Sequence, residues 1–242
     1  MNPADDIPLL LLAVHGVALG LGLIIFAWVW ALHRRAKRLE ETAKKIINPP
    51  PALIAFPQRP TAWVAVRSVS PEAVKLALGL GRSTPCSWAE GIGGSHEFFI
   101  SPRVNDWVIL TGLGLPHPSD DVDACFLFLT ALSRKLGHVQ FFQADRLLQH
   151  HAWARIDDGC VTRAYAWAGE TLWNQGAKTL PETDLHLKCF NYGEDTATIG
   201  EVELNFEKVP ALAARWSLDP AEVKSSSIRQ PTGIAGESAR IY

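Results

Sequence analysis

The chain has 242 residues, with 23 Lys and Arg against 25 Asp and Glu and a formal net charge of −2 at pH 7. No Lys or Arg precedes Arg34, and residues 33–45 contain six Lys and Arg against two Glu, so the rest of the chain is net acidic. Because phosphate binding needs a basic surface, this balance argues against nucleic acid as a partner. The residues that follow the basic segment suffice for one good-sized hydrophobic core.

The first predicted element is a transmembrane helix over residues 7–32. This segment of twenty-six residues contains no Asp, Glu, Lys or Arg. At about 1.5 Å per residue it reaches about 39 Å, enough to cross a bilayer core of about 30 Å. A cleaved signal peptide is the alternative, but such peptides carry a basic start and a shorter apolar run. The bilayer is therefore an expected partner through residues 7–32.

The basic flank also predicts the orientation of the chain. Positive charge accumulates on the cytoplasmic side of a span, which places the N-terminus outside and everything after residue 32 in the cytoplasm. We therefore expect a single-pass protein of the inner (plasma) membrane. Gly16 and Gly20 form a G-x-x-x-G pair, a helix-packing pattern that leaves open a scaffold role in which the span oligomerises.

Composition divides the chain into four parts. Residues 1–32 are the N-terminal tail and anchor, and residues 33–60 are a basic juxtamembrane helix followed by a Pro-rich linker. Residues 61–224 form a soluble α+β domain, and residues 225–242, rich in Gly and Ser, form a flexible tail.

Within the domain, local signals predict a mainly antiparallel sheet packed by helices. Strands are expected at 62–68, in HEFFIS and DWVILTG, and at 139–144. Ser70 and Pro71 begin a short helix that ends at Gly79 or Gly81. The clearest helix follows Ser119-Asp120-Asp121-Val122-Asp123, with basic residues in its last turn and Gly137 beyond it. Short helices are expected near 181–187 and 209–216.

A β-hairpin is predicted around Asp158-Gly159, because both residues tolerate the positive φ of a two-residue turn. When the register set by this turn is extended along both strands, most large residues lie opposite small ones. The expected pairs are Trp153 with Ala164, Ala152 with Tyr165, Ala154 with Arg163, and His150 with Trp167.

Catalytic and metal-binding signatures are weak. The four cysteines, Cys86, Cys125, Cys160 and Cys189, are widely spaced, and in the cytoplasm we expect them to be reduced thiols. His150 and His151 should point to opposite faces of a strand and so cannot easily share a metal. A nucleophilic triad of Ser87 or Cys86 with His151 and Asp157 has no local motif behind it. We therefore assign no catalytic residue, metal site or cofactor.

Aromatic and basic residues of the hairpin region are the candidate binding residues, because Trp, Tyr and Arg anchor protein interfaces. Most of these side chains would equally well fill the core face of a sheet. The candidates are Trp153, Arg155, Arg163, Tyr165, Trp167 and Trp173.

Three segments together resemble a group of uncharacterised bacterial proteins: ISPRVNDWVILTG, SRKLGHVQFF and HHAWARIDDGCVTRAYAWAGETLWNQG. The resemblance covers residues 62–220, leaves out the anchor, and implies one intact domain without transferring a site. The sequence thus favours a membrane-anchored, non-enzymatic module that binds another protein, with an immunity-like or regulatory role. The alternative is a hydrolase with a site centred on His150 or His151.

Overall fold

The structure is a computed structural model that describes residues 59–67, 70–93, 95–194, 199–228 and 232–238. The chain divides into two units, residues 1–56 and 57–242. The predicted anchor, the juxtamembrane helix and most of the linker lie outside the described residues. Among the residues that are described, no helix is long and apolar enough to cross a membrane.

A sheet forms the centre of the domain. Its strands among the described residues are β1 (Ala62–Arg67), β2 (Leu80–Ser87), β3 (Phe98–Ile100), β4 (Trp107–Thr111), β5 (His138–Asp145), β6 (His150–Asp157), β7 (Cys160–Trp167), β8 (Thr171–Gln175) and β9 (Thr232–Ser238). These nine strands lie in the order β2-β9-β3-β4-β1-β5-β6-β7-β8. Each described pair of neighbouring strands is antiparallel, which confirms the predicted α+β architecture.

Helices cover both faces of this sheet. The helices are α1 (Pro71–Leu78), α2 (Trp88–Gly91), α3 (Val122–Leu136), α4 (Leu180–Asp184) and α5 (Ile199–Trp216), with 3₁₀ turns at Pro220–Glu222 and Ser225–Ser227. Alternate residues of strand β1 belong to two separate cores, because they point to opposite faces of the sheet. Val64 packs with α1 and α3, whereas Trp63 packs with α5.

The predicted ends of α1 and α3 are confirmed in their capping contacts. Ser70 accepts a hydrogen bond from the backbone N–H of Ala73, and Gly79 ends α1 in a left-handed conformation at φ 66°. Asp121 accepts from the N–H of Ala124 at 2.9 Å. Capping therefore explains this carboxylate of the DDVD segment.

The hairpin register is correct near its turn and wrong further along. Asp157 pairs with Cys160 and Ile156 with Val161 as predicted, but a bulge shifts every later pair by one residue. Trp153 consequently lies opposite Tyr165 rather than Ala164. The extra residue in the bulge puts these two large rings on the same face, where they pack under α5.

Within residues 225–242, the segment predicted as a flexible tail, the described residues include a 3₁₀ turn at Ser225–Ser227 and a strand. Residues 232–238 form β9, which lies between β2 and β3 and pairs with both. Ala235 of this strand is buried against Cys86 and Phe99. Strand β2 reaches the rest of the sheet only through β9 among the described pairings.

Candidate functional site

The six predicted binding residues lie mostly inside the domain. Five are buried, and Arg155 is half-buried with its guanidinium over the ring of Trp216. Trp153, Tyr165 and Trp167 meet under α5, whereas Trp173 belongs to the core on the opposite face. A role for these residues in partner binding stays a prediction, and in this structure most of them have no exposed surface to offer.

A buried ion pair between Arg163 and Glu182 organises the α5 side of the sheet. Glu182 Oε1 accepts from Arg163 Nε at 2.8 Å and from Trp153 Nε1 at 2.7 Å. Its other oxygen accepts from the backbone N–H and the hydroxyl of Thr179. The carboxylate is fully buried, and its four donors compensate for the lost hydration.

The guanidinium of Arg163 is hydrogen-bonded through both of its terminal nitrogens as well as through Nε. Its Nη1 donates to the carbonyl of Ala164 and to Asn174 Oδ1, and its Nη2 donates to the sulfur of Cys189 at 3.2 Å. These contacts join β7, β8 and the segment after α4. The pair therefore holds three parts of the chain together.

The sequence patterns considered above did not identify Glu182 as a key residue, although a local pattern marks it. Thr179 and Glu182 stand three residues apart with Pro181 between them, the spacing of a capping box at the start of a helix. The structure forms that box at α4. The capping role was thus predictable, but the partnership with Arg163 was not.

His151 is enclosed by aromatic rings. Its imidazole stacks on Trp167 at 5.5 Å between centroids and meets the edge of Phe206. Asn205 Nδ2 donates to His151 Nε2 at 3.0 Å, so Nε2 accepts and Nδ1 carries the proton. Burial lowers the pKa of His151 to about 3, assisted by His150. The ring is therefore neutral at physiological pH.

His151 should make the stability of the protein sensitive to acid. Below about pH 6.5 the unfolded chain gains a proton at this residue, while the folded chain does not until about pH 3. The free energy of unfolding should thus fall by about 1.4 kcal/mol per pH unit through that window. In His151→Gln, which does not titrate, urea unfolding between about pH 6 and pH 4 should show a shallower dependence. Parallel pH profiles for the two proteins would contradict this.

The structure does not bring the triad residues together. Asp157 pairs with Nδ1 of His138, and His151 is bonded to Asn205. Cys86 instead places its sulfur 3.5 Å from His96 Nε2, but burial raises the pKa of this thiol. A thiol that resists ionisation is a poor nucleophile. Nothing here supports His151 as a catalytic base, so the hydrolase alternative stays a prediction from sequence.

An apolar groove runs between α1 and α3 and has a volume of about 570 Å³. Leu76 and Leu127 stand on the two helices with 79% and 62% of their surface exposed. Lys135 crosses from α3 to α1 and donates to the carbonyl of Ala77 at 2.7 Å. The remaining lining residues are mostly small or apolar: Leu78, Gly79, Gly114, Pro116, Ala124, Phe128, Ala131, Leu132 and Ser238.

The groove lies between the last turn of α1 and most of the length of α3. Residues 76–79 line it on one side and residues 124–135 on the other, and Lys135 in the last turn of α3 contacts Ala77 in the last turn of α1. Two helices with small residues between them leave room for the side chains of a third helix. The groove thus has the shape and polarity of a helix-binding surface.

Comparisons with protein-family models, with curated proteins and with solved structures found no match to this chain. Its chemistry must therefore be judged from the site itself. Within the described residues, no three His, Cys, Asp or Glu side chains are grouped closely enough to hold a metal ion.

Proposed function

We propose that this protein is a membrane-tethered binding module whose α1–α3 groove accepts an apolar helical segment of a protein partner. The groove itself is the observation that carries the proposal. Leu76 and Leu127 face water on helices that are otherwise well capped and packed. Exposed apolar surface around a groove commonly marks an interaction site.

The lining residues indicate the chemistry of the partner. Alanines and leucines favour an amphipathic helix that inserts leucine-sized side chains at i, i+3 or i+4, and i+7. Lys135 is the basic residue of the groove, so an acidic residue at the matching position of the partner would add charge complementarity. Recognition by contact without turnover fits a regulatory or immunity-like role.

The tether is proposed from sequence. Residues 7–32 carry no charged side chain and are followed by a basic segment, the pattern of a single span with a cytoplasmic C-terminal domain. Confinement to a membrane would raise the effective concentration of the groove near a partner in the same membrane.

Substitution in the groove tests the binding role. With full-length protein in native membranes, Leu127→Glu should remove a partner that the unmodified chain retains at defined stoichiometry, because a carboxylate would be buried in an apolar contact. Photo-crosslinking from residue 76 should label that same partner.

The matched control is Leu180→Glu. Leu180 is as exposed as Leu76 but lies on α4, outside the groove. Equal recovery of the partner by both variants, or a partner crosslinked equally from residues 76 and 180, would refute the groove as the binding surface.

A further inference from the structure

One end of the sheet contains the first described residues of the domain, 59–61, and several loops. The carbonyl of Thr61, just before β1, accepts from the N–H of Ala144 at 2.8 Å near the end of β5. Strand β4 ends beside this point, because Val64 pairs with Leu110. We call this the Thr61 end; the β4–α3 loop and the β5–β6 turn both lie there.

Exposed leucines occupy both of these loops. Leu113 in the β4–α3 loop is 77% exposed, and Leu147 in the β5–β6 turn is 84% exposed, with Leu148 beside it. A single exposed leucine needs no explanation. Leu113, Leu147 and Leu148 place three exposed leucines in two loops at one end of the sheet, which folding of the domain alone does not require.

Defined backbone contacts present these side chains. Asp145 Oδ1 accepts from the N–H groups of both Leu147 and Leu148 at 3.0 Å. The N–H of Leu113 donates to the carbonyl of His96 at 2.9 Å. The leucines are therefore held outwards by an ordered turn and an ordered loop.

We infer that the Thr61 end docks on the surface of a lipid bilayer through Leu113, Leu147 and Leu148. This inference rests on the proposed tether. The described residues of the domain begin at this same end, and 26 residues separate Arg59 from Leu32, the last residue of the apolar segment. A segment of that length reaches at most about 90 Å, so a tether would confine the domain to the neighbourhood of the bilayer and raise the effective concentration of lipid around the Thr61 end.

Charge at the Thr61 end defines the kind of lipid contact. Asp120, Asp145 and Glu170 lie in its loops, while the guanidinium of Arg146 is paired with Glu207 at 2.9 Å. This surface has no basic excess to attract anionic lipid. The contact is therefore apolar, with leucines entering the interfacial layer by about 5–10 Å, and it should form on zwitterionic phosphatidylcholine.

The test uses the full-length chain in phosphatidylcholine vesicles that contain brominated lipid. A fluorophore is attached at Leu147→Cys or Leu113→Cys in a Cys160→Ser background. The control is the same fluorophore on native Cys160, which is exposed and begins β7 at the opposite end of the sheet. Cys160→Ser without an added cysteine gives the background from the other thiols.

Quenching by bromine should be several-fold greater at residues 147 and 113 than at Cys160, and insensitive to salt. Equal quenching at the two ends, in protein that resists carbonate extraction, would overturn the docking inference and leave the tether intact. Release of the protein by carbonate would instead refute the tether, and the docking inference with it.

Discussion

Removal of residues 232–242 should prevent the domain from folding stably. The deletion takes away β9, detaches β2 from the sheet and exposes the edge of β3. It also uncovers the cluster of Cys86 and Phe99. The free energy of unfolding of natural domains is only about 5–15 kcal/mol. Loss of a strand that pairs with two neighbours should remove most of it. Circular dichroism and thermal unfolding of the truncated protein would measure the loss.

Point substitutions in β9 separate this effect from simple shortening. Ala235→Asp places a carboxylate at a position with 3% exposure and should cost several kcal/mol. Glu237→Gln, at an exposed residue of the same strand, should change the unfolding free energy by less than about 0.5 kcal/mol. A truncated chain that unfolds cooperatively near the temperature of the full chain would show that β9 is dispensable.

Glu182→Ala should destabilise the protein by about 3–5 kcal/mol, the usual cost of removing one partner from a buried ion pair. The substitution leaves the guanidinium of Arg163 buried without its counter-charge. It also deprives Trp153 Nε1 of its acceptor and removes the capping box at Thr179. Urea unfolding at neutral pH would give the difference in free energy.

Asp184→Ala is the matched control for this experiment. Asp184 lies two residues away and pairs with Arg215, but both side chains are largely exposed. Loss of an exposed pair should cost about 0–1 kcal/mol. Similar losses for Glu182→Ala and Asp184→Ala would mean that burial of the Arg163 pair adds nothing. The double variant Arg163→Met, Glu182→Leu should lose less unfolding free energy than the two single variants lose together, because it leaves neither charge buried without its partner.

Elements that depend on a few neighbouring residues were predictable from sequence. Helix α3 follows from Asp121 as its cap and Gly137 beyond its last turn, and the hairpin turn follows from Asp158-Gly159. In each case the preference lies in backbone conformation and in contacts within about four residues. Such preferences act in any context, so the sequence by itself determined these elements.

Strand β2 and strand β9 depend instead on distant partners. β2 contains Pro85, whose missing N–H argues against a central strand. The proline is tolerated because β2 lies at the edge of the sheet. β9 is polar and rich in Gly, and it becomes a strand by filling the gap between β2 and β3. The pairing that stabilises each of them comes from residues far away in the chain, which local patterns do not reveal.

The candidate site shows the same division. Sequence composition singled out Trp153, Arg163 and Tyr165, but only the tertiary structure decided that they are buried. The bulge in β7 places Tyr165 on the same face of the sheet as Trp153, towards α5, and Glu182 from a separate segment pairs with Arg163. A side chain becomes core or surface according to which segments pack against it, and that packing minimises free energy over the whole domain rather than over any local stretch. The tertiary structure likewise decides which leucines remain exposed, in the groove and at the Thr61 end, because the helices that pack on the sheet bury the others.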